Sequence, residues 1–453
     1  MTSVLLLLLA QQPMSMSEAV NQALTHYAAV NVSDEQVRAA AAAISLARTN
    51  YLPRADFYGQ VNRASRNNVF GLMLPQSTLP SISGPPRPEN DMASVWGSAV
   101  GLQVSWEPFD LGLRKALVAS AEAGQRRSEA SLKRTRYEVA ALTADAYLTV
   151  LAAQETVVAA RAAVARATTL EQVAQALARA DLRPGADASR AKAERSVAET
   201  QVIQAEQAVA VAQAHLAQFT GAAGQARHLG DPPGLVVPSL VTSREAHPVV
   251  TEQAAVIDEV KAKQKALDKS YAPKFAVQGA TYARGTGAVA DGTTLGGANG
   301  LGPNIMNYAL GLTVTFPAMA QPAIRAEQSA QAARERAEAA RLKQLQQDLA
   351  AQQAQAQARL DGARRTAAQL PVQLEAAQMT LNQATARYRA GLGLITEVAE
   401  AQRLVAQAES DMALVRLAIW RGLLQVATAQ GDLRPFLTET DARPGRDTPG
   451  RDQ

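Results

Sequence analysis

The stretch SVWGSAVGLQVSWEPFD, Ser94 to Asp110, alternates apolar positions with small or polar ones, between long runs dominated by Ala, Gln, Arg and Glu. Successive side chains of a strand point to opposite faces. A period of two therefore predicts a strand with Trp96, Val100, Leu102, Val104 and Trp106 on one face and Gly97, Ala99, Gly101, Gln103 and Ser105 on the other. A strand of a soluble sandwich has the same period. Here, however, the second face is small and uncharged, and the two Trp residues stand 10 positions apart. At roughly 3.3 Å per residue that separation spans about 33 Å. Tilted by about 45°, such a strand matches the apolar band of an outer-membrane barrel, with one Trp in each interfacial girdle.

RADFYGQVN is read the same way, with Ala55, Phe57, Gly59 and Val61 outward and Asp56, Tyr58, Gln60 and Asn62 inward. Strands are expected at 54–66 and 94–107, joined by a Pro- and Ser-rich loop. A second pair is expected at 274–284 and 306–316, joined by a Gly-rich loop, with Tyr308 and Phe316 repeating the girdle spacing approximately. Pro53, Pro108, Pro273 and Pro317 flank the two hairpins. Proline neither continues an incoming helix nor donates within a ladder, so each suits a helix–strand junction.

The pairs belong to an internal duplication. TNYLPRADFYGQ returns 220 residues later as KSYAPKFAVQGA, and AVGLQVSW returns 210 residues later as ALGLTVTF. The repeats are placed at 13–221 and 242–430, with a linker at 222–241 and a polar tail, expected to be disordered, at 431–453. Each repeat reads as helix, strand, loop, strand, very long helix, return helix. The first helix opens at SMSE, where Ser15 and Glu18 have capping-box spacing, and is expected to run until just before Pro53. The long helices, 111–182 and 323–390, are each roughly 100 Å at 1.5 Å per residue, and Pro371 is expected to kink the second. Their alanine richness favours close packing in a multi-helix wall over a plain coiled coil with Leu or Ile heptads. Each ends in a sharp turn, LRPGAD or YRAGLG, before a return helix at 187–220 or 394–430. Gly185 and Gly391 are assigned the left-handed residue that ends each long helix.

Composition narrows the class. Of 453 residues only 4% are aromatic while 47% are hydrophobic, so a bulky globular core is not expected. The net charge of +4 comes from interleaved acids and bases, which argues against nucleic acid as a partner. No run approaches the roughly 20 apolar residues of a transmembrane helix. VLLLLLA, Val4 to Ala10, resembles the core of a signal peptide over 1–12, although no basic residue precedes it; the other reading is a buried helix end. With no Cys there is no disulfide, thiolate metal site or lipid-modified cysteine, so the chain is not expected to be lipid-anchored. His26, His215, His228 and His247 lack ligand spacing, and no nucleophile or phosphate-binding loop is recognisable. No metal, cofactor or enzymatic activity is expected.

The Pro-flanked hairpins, the duplicated turns, and the segments SEAVNQAL, AHPVV and WEPFDLGLR together resemble the TolC family of outer-membrane efflux proteins over nearly the whole chain. The resemblance implies a mainly α fold with a membrane β-barrel. In it, a homotrimer has each chain giving four strands to one 12-stranded barrel and four helical segments to one tunnel reaching into the periplasm. Strand physics alone demands oligomerisation, since four strands cannot close a barrel, but it leaves eight from two chains open beside twelve from three. The resemblance further implies an outer-membrane conduit for small molecules or proteins, in contact with outer-membrane lipid, a periplasmic adaptor (membrane fusion) protein and an inner-membrane transporter. By its positions Arg183, Pro184, Gly185 and Ala186, with Tyr388, Arg389, Gly391 and Leu392, are adaptor-docking turns, and Glu397 and Glu400 ring the closed entrance. The chain departs from the family pattern where Arg190 and Ala191 replace a Thr-Asp pair and Gly393 replaces an Arg, so the family's polar latch is not carried over. A periplasmic adaptor or a structural coiled-coil protein of the envelope is the alternative reading.

Overall fold

The computed structural model describes residues 14–65, 93–221, 229, 246–289, 293–316 and 318–442. The expected signal segment 1–12, Pro317, the loop beyond 65, and most of the 222–241 linker lie outside the described residues. In chain order the elements are α1 (Met16–His26), α2 (Ala28–Thr49), β1 (Arg54–Ser65), β2 (Ser94–Phe109), α3 (Leu113–Arg179), α4 (Gly185–Thr220), α5 (Pro248–Lys269), β3 (Lys274–Thr286), β4 (Ile305–Thr315), α6 (Gln321–Arg389), α7 (Ile395–Gln430) and α8 (Arg434–Ala442). They form two compact units, the second comprising Ala39–Arg126 and Val256–Ala337 and the first the remainder.

In the first unit α1 opens with the expected capping box: Ser15 Oγ accepts from the Glu18 N–H at 3.2 Å, and Glu18 Oε2 accepts from the Ser15 N–H at 3.1 Å. The helix does not run on to Pro53. Tyr27 leaves helical geometry (φ −70°, ψ 124°), and its ring packs 5.2 Å from that of Phe219. That break lets α1 bury Met16, Ala19, Val20 and Ala23 as a separate amphipathic piece.

The 67-residue α3 and 69-residue α6 carry the long-helix expectation. The kink expected at Pro371 is not marked by any break in α6, which runs unbroken from Gln321 to Arg389. Contrary to the expectation of no membrane-crossing helix, α3 and α7 each contain a window apolar enough to cross a bilayer by composition. Alanine supplies much of that character. In α4 the buried positions Ala191, Ala198, Ala205 and Ala212 recur every seven residues, the spacing of a packing seam with a small residue at each contact.

The broadest core of this unit collects Leu148, Leu151, Phe219, Leu417, Trp420 and Leu423, and it takes in part of the tail expected to be disordered. After Gly431 (φ 85°) the chain forms α8, burying Leu433 and Phe436, the latter edge-on to Trp420 at 6.1 Å. Three apolar residues, Leu433, Phe436 and Leu437, are enough to dock a short helix that is otherwise mostly polar. Nearby, His247 caps α5: its Nδ1 accepts from the Val249 N–H at 3.2 Å, which leaves Nε2 to donate to Thr428 O at 3.1 Å. The Tyr137 hydroxyl donates to the same carbonyl.

The second unit holds a four-stranded antiparallel sheet in the order β1-β2-β3-β4. Arg54 pairs with Ser105, and Lys274 with Thr315, so all four strand ends that adjoin helices lie at one end of the sheet. β2 runs past its expected end to Phe109 through an irregularity between Trp106 and Phe109. Pro108 sits in that bulge, where a missing N–H costs no ladder bond. Pro53 and Pro273 immediately precede β1 and β3. β1 and β4 are edges, each without a strand on its outer side.

Candidate functional site

The register places the alternating positions of the four strands on common faces. Phe57 pairs with Leu102, Leu102 with Thr281 and Thr281 with Tyr308, so these share one face with Val61, Val104, Trp106, Val277, Leu310 and Leu312. That face is apolar and open: Phe57, Leu310 and Leu312 are 74%, 81% and 69% exposed. The opposite face carries Asp56, Tyr58, Gln60, Gln103, Gln278, Tyr282 and Asn307. Tight packing constrains this second face, because a Cβ on Gly101 would fall 2.5 Å from the Tyr282 Cβ.

The four residues expected at the girdles lie at unequal levels of the sheet. Trp96 and Trp106 lie on the same face at the two ends of β2. The Trp96 ring is half-buried under the Arg63 guanidinium, 5.2 Å away, while Trp106 is exposed and donates from Nε1 to Tyr51 O at 3.2 Å. Phe316 meets Tyr271 edge-on at 5.3 Å near the same end as Trp106. Tyr308, however, registers with Leu102 in mid-sheet, six residues from Trp96. The duplicated sequences suggested equivalence, but the second hairpin is offset in the ladder.

Between β2 and α3 the segment WEPFDLGLR makes a built junction. Leu111 and Gly112 turn the chain with positive φ, and the Asp110 carboxylate accepts the Gly112 and Arg114 N–H groups. Arg114, 7% exposed, donates to Glu107 O, lies 3.6 Å from Asp110 Oδ2, and covers the Tyr51 ring at 5.5 Å. Arg114 closes the WEPFDLGLR segment, and no periodic signal in the sequence marks it as structural.

In the first unit the two helical turns meet. Gly391 (φ 81°) is the left-handed residue of the second, with its N–H bonded to Tyr388 O and that of Leu392 to Arg387 O. The first turn is closed identically by Asp181 (φ 55°), through Asp181 N–H to Ala178 O and Leu182 N–H to Leu177 O. Gly185 is therefore not its left-handed residue; it is the first residue of α4, after Pro184. An aspartate replaces glycine at the strained position, which aspartate tolerates better than most residues, and this hid the true register. In that register Asp181 matches Gly391, Arg183 matches Gly393, and Asp187 matches Glu397.

Arg183 Nη2 donates to Tyr388 O at 3.0 Å and to Gly393 O at 2.8 Å, with the guanidinium 4.8 Å from the Tyr388 ring centre. The Tyr388 hydroxyl, on a fully buried ring, donates to Asp187 Oδ2 at 3.1 Å. Burial first, and the Asp187 carboxylate second, push its pKa up to about 12. Pro184, Gly185, Ala186, Gly391 and Leu392 are exposed, Leu392 at 75%, and so form the outer surface of the paired turns, as does Arg389. Glu397 and Glu400 are also exposed. Glu400 lies 4.0 Å from Arg403, whose Nη2 donates to both Glu194 carboxylate oxygens at 2.9 and 3.0 Å. Arg166 forks onto Glu409 at 2.9 and 2.7 Å. Charge pairing between helices gives no periodic sequence signal, and these pairs were not anticipated. Ala191 is buried in the same cluster as Tyr388, Val398 and Val405.

The sequence profile of the outer membrane efflux proteins matches residues 19–222 and 240–432. Among solved structures, the outer-membrane channel OprN matches with a TM-score of 0.71 over 92% of this chain and 89% of its own, at 18% identity. CusC, described for conformational changes accompanying folding and transmembrane channel formation, matches with a TM-score of 0.75 over 93% of each chain, at 13% identity. The open state of the MtrE outer membrane channel of Neisseria gonorrhoeae gives a TM-score of 0.69 over 92% and 89%, at 18% identity. No curated protein matches this chain in sequence. The shared fold is the mainly helical channel with a short antiparallel sheet. With the greater part of both repeats inside the profile, this chain belongs to the outer membrane efflux protein family, whose members are outer-membrane channels and not enzymes.

Proposed function

We propose that three copies of the chain close their sheets into one 12-stranded barrel in the outer membrane, and that their helices form a tunnel into the periplasm. The assembly conducts small molecules or proteins outward, handed on by an inner-membrane transporter through a periplasmic adaptor that docks on the Arg183–Ala186 and Tyr388–Leu392 turns. The observation that carries this reading is the sheet: apolar and open on one face, polar on the other, with both edges unpaired. Such an element is stable in lipid only when closed, since unpaired backbone groups in hydrocarbon cost several kcal/mol each. Passage through the assembly depends on its polar face rather than on a substrate pocket.

The chain contains no Cys, so engineered cysteines report cleanly. Pairs placed on the polar faces of the two edge strands, at Tyr58 or Gln60 of β1 and at Asn307 or Ala309 of β4, should cross-link copies in the membrane fraction. The covalent ladder is expected to stop at three chains. A ladder that stops at two, or one that runs on without limit, overturns the trimeric barrel.

A further inference from the structure

A second feature, distinct from the paired turns, lies on the helical side of the sheet. α5 carries Lys261, Lys265 and Lys269 at four-residue spacing, and the facing start of α3 carries Lys115 and Arg126. The five cations line one cleft of 610 Å³, floored by Gly112, Ala116, Ala119 and Ala262. Each cation is exposed, and none has an ion pair or hydrogen bond with the described residues. Two carboxylates share the cleft, Asp258 and Asp268. Asp268 is engaged by the Gln264 and Gln328 amides at 3.1 and 2.8 Å rather than by the lysines.

Like charges at i and i+4 destabilise a helix, and α5 has two such pairs in succession, opposed by two more cations across small residues. Among the described residues no ion pair offsets this. Position supplies a reason: Lys269 is five residues before β3, and Leu111 two residues after β2. The cleft thus opens just beyond the end of the apolar face marked by Trp106, at the level of lipid headgroups once the sheet lies in a bilayer. Basic pockets at that level bind anionic headgroups.

We infer that this cleft binds the phosphate of an acidic glycerophospholipid in the leaflet on the helical side of the barrel. The inference rests on the sheet spanning the outer membrane, and the phosphodiester is held by Lys115, Lys261, Lys265 and Lys269, with Arg126 at the far end. Small floor residues leave room for the headgroup, and the acyl chains extend toward the apolar face of the sheet.

The test uses the full-length assembled protein in a neutral detergent, with phosphatidylglycerol, phosphatidylcholine and inorganic phosphate as separate probes. Lys261→Gln, Lys265→Gln, Lys269→Gln together should weaken phosphatidylglycerol binding about a hundred-fold, near five-fold per cation, and raised salt should weaken it in the parent. A control with the same charge loss elsewhere, Lys133→Gln, Lys192→Gln, Lys343→Gln, should bind as the parent does. Equal weakening in that control, or equal affinity for phosphatidylcholine, overturns the site. Phosphate binding that is lost in the cleft variant, with no retention of phosphatidylglycerol, assigns the cleft to soluble phosphates and overturns the lipid. Oligomer on denaturing gels is scored in parallel: loss of lipid with the oligomer intact in the cleft variant supports the site, whereas absence of any oligomer in the parent counts against the barrel. A cleft variant that dissociates, with no lipid bound by the parent, shows that a second copy fills the cleft and overturns the proposal.

Discussion

Arg183 on the first turn is clamped to Tyr388 on the second, through a hydrogen bond of 3.0 Å to its carbonyl and a guanidinium 4.8 Å above its ring. One side chain therefore ties the ends of α3 and α6 and, through Gly393 O, the start of α7. Arg183→Ala should cost about 2 kcal/mol, from two lost bonds to carbonyls and one cation–aromatic contact. Hydrogen exchange should accelerate across residues 387–395, with Arg183→Lys restoring only part of the protection, because an ammonium that reaches the two carbonyls lacks the planar group that stacks on the Tyr388 ring. Unchanged exchange in Arg183→Ala would show that the turns hold without this clamp.

Tyr388 gives the paired turns an alkaline limit. Its pKa is raised in the folded chain to about 12, from about 10 in an unfolded one. The stabilisation is fully present below pH about 10 and is lost as pH rises through about 12. Phenolate absorbance should show two tyrosines titrating late, Tyr388 and the buried Tyr137, with loosening of the turn following Tyr388. Tyr388→Phe removes the bond to Asp187 at a cost near 1 kcal/mol, and leaves Tyr137 alone titrating late.

His247 sets the opposite limit. Burial lowers its pKa, and only the neutral ring can accept from Val249 while donating to Thr428. For a base with a depressed pKa, stability is full above the unfolded value of about 6.5 and falls as pH drops toward the folded value. His247→Asn, which retains a capping acceptor, should flatten the acid side of a stability–pH curve. A slope equal to the parent's would assign the acid sensitivity to other groups.

On the sheet, Val100→Arg places a charge on the apolar face, between Gly59 and Ala283, at a cost of roughly 2–4 kcal/mol per chain in a bilayer. Gln103→Arg, on the polar face, should be milder. Equal loss of assembled oligomer from both substitutions would contradict the assignment of faces.

Glu397 and Glu400 stand exposed at the start of α7. Repeated around a narrow entrance, they would draw cations and slow anions. The double change Glu397→Gln, Glu400→Gln preserves helix propensity and should shift planar-bilayer reversal potentials from cation-selective toward non-selective. Because Arg403 is 4.0 Å from Glu400, the single change Glu397→Gln should produce the larger share. Unmoved reversal potentials would return both residues to a solvated helix face.

Much of this fold could be read from the chain because its signals are periodic. The alternation in β2 located both faces of the sheet, the repeated Pro-flanked hairpins located its partners, and unbroken alanine-rich runs located α3 and α6. What escaped depends on contacts with no period. Tyr27 breaks the first helix because Phe219, far along the chain, offers its ring a place. Phe436 orders part of a polar tail because Trp420 is within reach. Asp181 does the work expected of Gly185, so composition alone misplaced the first turn by four residues. Arg183 aligns with Gly393 when the turns are matched by backbone closure, and the glycines alone do not show this.

The open flanks of β1 and β4 also bear on inheritance. Ring closure is satisfied only when every flank finds its neighbour, so a chain that keeps a sound β1 but a damaged β4 would be accepted on one side and leave the ring unfinished on the other. If three chains are drawn at random from equal pools of sound and damaged copies, about one ring in eight contains only sound copies. Lesions confined to one flank should therefore act dominantly over the intact gene, while lesions that prevent the chain from reaching the membrane should be recessive.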